Sequence, residues 1–235
     1  MGWLLVLILV GCTHLPIAKL TDAKTTAAPP AFALPGESFE YRVTLRGIVV
    51  GRVRVAIGEA GVVAGTPAVI SRARGDTAGV AAMLLGKGVY ESRTTLDLEH
   101  HRPLEHHEEM WIEVPGMKKH HERSEGWEDG EAQDAHSAIA LLRGWRSQPG
   151  EKIALRVRLL AAQLDIEASH ARREYLPAAH AHAVRYDGTI EAEHGFVAWI
   201  SDDPSRVPLR FELGSEVGVF VVELVTYQAP PDRGP

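Results

Sequence analysis

Apolar and polar residues alternate with a period of two along most of the chain beyond Gly36, the mark of half-buried strands. Phe39, Tyr41, Val43 and Leu45 interleave with Glu40, Arg42, Thr44 and Arg46. Gly47 and Gly51 bracket Ile48-Val49-Val50, and Val53, Val55 and Ile57 then alternate with Arg52, Arg54 and Ala56. This predicts a hairpin with glycines at its turn or at a bulge. Further strands are predicted around 68–74, 90–99 and 104–114, and over 117–124, the last polar enough to be an edge. Six more follow: 153–160, 164–168, 179–186, 196–200, 207–213 and 219–227. Turns are assigned to Arg102-Pro103, Pro115-Gly116, Asp187-Gly188 and Gly214-Ser215.

Two segments switch to helical spacing. Asp76 is placed to cap a short helix with Val80, Met83 and Leu84 along one side and Gly86 or Gly88 at its end. Asp134 caps a second over 135–145, with Ala138, Ile139, Leu142 and Trp145 on one stripe and Pro149-Gly150 beyond. Many short strands without helical crossovers predict a mainly β, antiparallel sandwich or barrel.

The N-terminus has a different character. Trp3 to Val10 is an unbroken apolar run followed by Gly11 and Cys12. It is far short of the roughly 20 residues that cross a bilayer, and fits the ~7–15 residue core of a signal peptide. Leu9-Val10-Gly11-Cys12 resembles the lipobox of bacterial lipoproteins. That resemblance implies removal of a signal peptide, residues 1–11, and attachment of diacylglycerol to the Cys12 thiol. The competing reading is a buried segment with Cys12 as a small core residue. Thr13 stands where Asp often marks inner-membrane retention, which by the same resemblance points to the outer membrane, facing the periplasm. Residues 12–35, rich in Thr, Ala and Pro, read as a flexible tether, and 229–235 as a disordered tail.

Composition narrows the function classes. Charged residues at 24% and hydrophobic ones at 45% suit a folded domain. The net charge of −6 resides wholly beyond residue 11, and no run of Lys and Arg offers a phosphate-backbone footprint, so nucleic acid is not an expected partner. The single cysteine rules out an internal disulfide framework.

Several short blocks occur together: Gly36-Glu37 before Phe39-x-Tyr41, Gly47-Ile48 before Gly51, and Asp134-x-x-Ser137-Ala138 with Leu142-Arg143. Then come Pro149-Gly150-Glu151, Trp199-x-Ser201-Asp202-Asp203-x-x-Arg206-x-Pro208, Gly214-Ser215 and Glu223-Leu224. Their order and spacing resembles the DUF3108 family of exported bacterial proteins, over residues 36–228. The resemblance implies one β-rich domain, an open barrel or curved sheet around the helix that carries Leu142, and brings no catalytic residues. From turn chemistry, Asp202-Asp203-Pro204-Ser205 joins two strands, Arg206 pairs with either aspartate to pin that hairpin, and Trp199 supplies core area.

Histidine is the candidate chemistry. Six of the twelve lie in three adjacent pairs, His100-His101, His106-His107 and His120-His121, and His100, His106 and His120 are the candidate metal ligands. Neighbours in a strand point to opposite faces, so each pair offers one ligand per side. A hairpin turning at Arg102-Pro103 would bring His100 near Glu105 and His106, and one at Pro115-Gly116 sets His120 near Trp111. A solvated polar face is the competing reading. No Gly-x-Ser-x-Gly elbow or phosphate-cradling glycine loop occurs, and the acidic run Glu125–Glu131 reads as an exposed loop. The expectation is a membrane-tethered, non-catalytic envelope domain without cofactor that binds a hydrophobic ligand or an envelope partner protein. The alternative is a metal-binding or metal-buffering envelope protein using the histidine-rich hairpins, and a purely structural role is a third.

Overall fold

The computed structural model describes residues 32–127, 132–159 and 162–230. Residues 1–11, Cys12, most of the 12–35 tether and residues 231–235 of the expected tail lie outside them. The described residues form one open, curved sheet of thirteen strands rather than a closed barrel. Its first arm is β1 (Ser38–Leu45), β2 (Ile48–Val63), β3 (Thr66–Thr77), β4 (Lys87–Asp97), β5 (Arg102–Val114) and β6 (Met117–Gly126). The second is β7 (Ala132–Asp134), β8 (Lys152–Leu159), β9 (Ala162–Leu176), β10 (Ala181–Ile190), β11 (His194–Ser201), β12 (Pro208–Ser215) and β13 (Gly218–Gln228). The spatial order is β6-β5-β4-β3-β2-β1-β13-β12-β11-β10-β9-β8-β7, antiparallel throughout except for β7 beside β8. β1–β6 and β8–β13 are each antiparallel meanders, and pairing of β1 with β13, from Ser38 against Gln228 onward, joins them.

Local chemistry accounts for most boundaries. Arg46 and Gly47, at φ of 50° and 79°, form the two-residue turn between β1 and β2, and a register shift after Val43 absorbs an extra residue before Gly51. The polar strand β6 is indeed an outer edge.

Three expected turns lie inside strands instead. Asp187-Gly188 sits in β10, where a Cβ on Gly188 would overlap the Glu167 carbonyl and the Phe196 ring; the glycine marks close packing, not a reversal. Gly214-Ser215 ends β12, and the reversal follows at residues 216–217. Arg102-Pro103 opens β5, because the Asp97 carboxylate accepts the Glu99 and His100 amides at 2.8 and 2.9 Å and closes the turn earlier.

Helix α1 (Gly79–Leu85) is capped not by Asp76, which remains in β3 and pairs with Arg74, but follows Ala78, whose amide donates to the Val50 carbonyl. Met83 on its expected apolar side is exposed. Gly86 ends it.

Helix α2 (Ala135–Gly144) follows the expected cap. Asp134 accepts the Ser137 amide at 2.7 Å, and Ser137 Oγ accepts the Asp134 amide at 2.9 Å, a reciprocal capping box. Its Leu142 and the following Trp145 pack with Ile153, Leu164, Val184, Tyr186 and Phe196, and its Ala140 packs with Phe39, Tyr41, Val69 and Leu96. The helix therefore covers the concave face of both arms.

Buried polar side chains fix α2 there. Arg143, 3% exposed, holds both carboxylate oxygens of Glu37, with Nη2 to Oε2 at 2.9 Å, and donates to the Ser205 and Arg206 carbonyls. Arg206 does not pin its hairpin through an aspartate. Its guanidinium turns inward, donating to the Arg143 and Trp145 carbonyls at 2.9 and 3.1 Å and to the Tyr186 hydroxyl oxygen at 2.8 Å. Carbonyls at the C-terminal end of a helix lack intrahelical donors, and Arg206 supplies one to each of these, with the Tyr186 hydroxyl also donating to the Trp145 carbonyl at 3.1 Å. Asp203 closes the turn instead, accepting the Ser205 and Arg206 amides. Pro208 opens β12 and its carbonyl accepts the Tyr41 hydroxyl.

Candidate functional site: an apolar cavity under the buried helix

Alternation along the strands sends one set of side chains toward α2, and they do not fill the space. A cavity of about 410 Å³ remains between α2 and the sheet. Phe39 and Tyr41 of β1, Val53, Val55 and Ile57 of β2, and Ala73 and Gly75 of β3 line it from one arm. Leu155, Val157 and Leu159 of β8 with Leu164 and Ile166 of β9 line it from the other, and Ala138, Ile139 and Leu142 of α2 cover it. Small residues leave the space: Ala73, Gly75, Ala138 and Ala168 stand where larger side chains would close it. Its volume falls in the range of about 300–1,000 Å³ usual for small-molecule sites.

Polar atoms meet the cavity at the N-terminal end of α2. His136 bonds through Nδ1 to Ser71 Oγ at 2.7 Å and through Nε2 to Ser92 Oγ at 2.8 Å, with Tyr90 beside them. Burial lowers the His136 pKa, and the charge on His106 adds to this while Asp134 opposes it, so the ring is neutral near pH 7. The lining cation, Arg143, is already paired with Glu37. The cavity thus offers hydroxyls and a neutral imidazole to a solute, with no unpaired ionic group among the described lining residues.

Beneath this end lies a second cluster closed to solvent. The Asp134 carboxylate meets His106 Nδ1 at 2.8 Å and accepts the Thr94 hydroxyl, while His106 Nε2 lies 3.5 Å from Glu108, which also accepts the Tyr90 hydroxyl at 3.1 Å. Burial pushes the His106 pKa down, but its bonds to Asp134 and Glu108 outweigh that and raise it to about 9. For Asp134 burial acts upward, but the His106 bond, the nearby imidazole charges and the Thr94 hydroxyl together outweigh it and hold the carboxyl well below the ordinary range. Thr94 and Asp134 are each 0% exposed and Glu108 is 1%, which makes this an anchor for α2 rather than a surface that meets a solute.

The three candidate metal ligands do not converge. His100 stands in the turn after β4, its Nδ1 2.9 Å from Asp97 Oδ2; His106 is in the closed cluster; His120 lies on exposed β6. His120 does stack on Trp111, with ring centroids 5.4 Å apart, as the hairpin register requires. One set of potential metal ligands exists among the described residues: Glu109, His120 and Glu122, with ligand atoms within 4.8 Å of one another. The expected acidic loop divides: Glu125 is in β6, Trp127 is buried with its indole N–H on the Ala132 carbonyl, and residues 128–131 lie outside the described residues. Trp199 is buried, with Arg185 and Arg210 over its ring at 5.3 and 5.5 Å and its N–H donating to Glu174 at 2.7 Å. Asp202 lies 3.3 Å from Arg173.

No protein-family model matches the chain, so the likeness to DUF3108 rests on the motif blocks alone. No curated protein matches it either. Among solved structures it is similar to a β-barrel-like protein of a domain of unknown function, DUF1849, from Brucella abortus, at 8% identity and a TM-score of 0.49, over 83% of this chain and 98% of that one. It is also similar to an exported protein candidate with YmcC-like fold from Bacteroides fragilis (11%, TM-score 0.39, 86% and 100%). A lipoprotein candidate from Parabacteroides distasonis is a third (9%, TM-score 0.37, 87% and 100%). At these scores none of them carries an argument about function.

Proposed function

We infer that this chain is a non-catalytic binding domain of the bacterial envelope, tethered through acylated Cys12, that holds an uncharged hydrophobic molecule between α2 and the curved sheet. The cavity carries the reading. An apolar space of about 410 Å³ in a folded domain stays unfilled at a cost in packing, and a ligand recovers that cost. Its lining favours a neutral solute because Arg143 is paired and His136 is uncharged. The lipobox-like Leu9-Val10-Gly11-Cys12 supports the location, and Thr13 supports the outer membrane. The motif blocks shared with DUF3108 proteins support an exported domain.

Gly75→Leu tests this without breaking the fold. A Cβ at Gly75 meets only ordinary contacts, Val53 Cγ2 at 3.8 Å being the nearest, and the added side chain enters the cavity. Native mass spectrometry of membrane-extracted protein should find the parent acylated at Cys12 and carrying a neutral lipid-like adduct, and the variant acylated without it. An adduct that persists in the folded variant, or a parent that never carries one and binds no neutral fluorescent hydrophobe, sinks the proposal.

A further inference from the structure

The outer side of β1–β4 carries an arrangement that folding alone does not favour. Arg42 stands directly opposite Arg52, Arg54 opposite Arg74, and Arg72 opposite Arg93. Side chains two apart share a face of a strand. The residues between them, Tyr41, Val53, Ala73 and Ser92, line the interior cavity, so all six arginines point outward. Like charges directly opposite one another destabilise a sheet, yet three such pairs lie side by side in a chain of net charge −6.

Carboxylates answer part of this charge. Glu223 lies 3.3 Å from Arg42, Glu40 lies 3.8 Å from Arg54, and Asp76 and Glu91 take Arg74. Arg72 and Arg93 are exposed and have no carboxylate within ion-pair distance among the described residues; Arg93 faces His107 in the next strand. A shallow groove of about 480 Å³ is lined by Arg54, Arg72, Arg74, Arg93 and His107 together with Glu91 and Glu109.

We propose that this arginine face seats the phosphate groups of anionic membrane lipids. Guanidinium forks match phosphate oxygens in geometry and charge. Strands lie about 4.8 Å apart, so the face spreads over roughly 14 Å, wider than one phosphate and suited to adjacent headgroups. Phosphate oxygens placed between Arg72 and Arg93 remove the repulsion that the bare sheet bears. This surface is opposite the cavity face and does not depend on what the cavity holds.

The test is flotation of the full chain carrying Cys12→Ser, which removes the acylated thiol, with vesicles of phosphatidylcholine alone or mixed with phosphatidylglycerol. The excess binding to the mixed vesicles should fall about twenty-five-fold in R72Q/R93Q, two charges contributing roughly fivefold each at an anionic surface. R156Q, which removes an exposed charge on β8, should retain it. Thermal unfolding guards against misfolding, because R72Q/R93Q removes like-charge repulsion and should melt no lower than the parent. Equal binding to both vesicle types, or unchanged binding by R72Q/R93Q, overturns the proposal. So does heat of binding to inorganic phosphate in a protein that shows no preference for the mixed vesicles.

Discussion

Raising the pH from 6.5 to 9 should loosen the anchor of α2, and His106 sets the size of the effect. The imidazole is 7% exposed and lies between Asp134 and Glu108, which raise its pKa from an ordinary 6.5 to about 9 against the opposing effect of burial. The folded state therefore holds this proton more tightly than the unfolded chain. Its contribution is fully present below about pH 6.5 and is lost as pH rises through about 9. At 1.36 kcal/mol per pKa unit, the shift is worth up to about 3 kcal/mol. Asp134 has the opposite sign: its depressed pKa stabilises above about pH 4 and the gain is lost only as pH falls through the folded value. Urea unfolding at intervals between pH 5 and 10 should give a parent stability that declines from neutral to alkaline pH. His106→Gln, which keeps a donor but cannot titrate, should be less stable at pH 6 and flat across that window. A parent whose stability is level or rising between pH 6.5 and 9 would refute the assignment of a charged His106.

Two further outcomes follow from the core. Glu37→Ala leaves the Arg143 guanidinium buried without its carboxylate and should cost about 3–5 kcal/mol in chemical denaturation, while Arg143→Met on that background should restore part of the loss. Gly188→Ala should cost about 1–3 kcal/mol or more, because the new methyl overlaps Glu167 and Phe196. At Gly47, where nothing lies within 4 Å, alanine should cost only about 1–2 kcal/mol for its left-handed backbone, whereas the overlap of the Gly188 methyl with a backbone carbonyl puts that variant at the top of its range or beyond, so Gly188→Ala should melt lower.

The strands were legible because half-buried strands announce themselves by alternation, and α2 because Asp134 and Ser137 carry a cap that needs only neighbours in sequence. Sequence pattern and structure part where a local rule meets a tertiary demand. Pro103, Gly188 and Gly214 read as turn residues but stand within strands, Gly188 because the Phe196 ring occupies the space of its missing side chain. Arg206 beside Asp202 and Asp203 invites a local ion pair, yet the α2 carbonyls 61 and 63 positions away claim the guanidinium. The motif blocks around Glu37, Asp134, Arg143 and Arg206 now have one physical meaning: they are the polar contacts that seat α2. The arginine face was invisible because its members are separated by apolar residues and meet only through register. The cavity was equally hidden, since a void is a property of how α2 sits on two arms and not of any segment.

Because the sheet stops short of closure, the space between β6 and β7 is bridged by side chains where a barrel would have a ladder. Arg158 of β8 reaches Glu125 of β6 at 3.2 Å and lies 4.9 Å from the Trp127 ring centroid, and Asp134 reaches Thr94 and His106. Side-chain bridges open at less cost than a row of backbone hydrogen bonds, so if the cavity takes up a solute, this seam is where entry is expected without unstitching strands. Arg158→Ala removes a partly exposed ion pair and a cation–π contact, together worth about 1 kcal/mol, or roughly fivefold in an opening rate. Stopped-flow uptake of a neutral fluorescent hydrophobe should quicken by about that factor, and release with it, so that equilibrium affinity barely changes. Uptake at the parent rate, or a loss of affinity without faster uptake, would place the entrance elsewhere on the sheet.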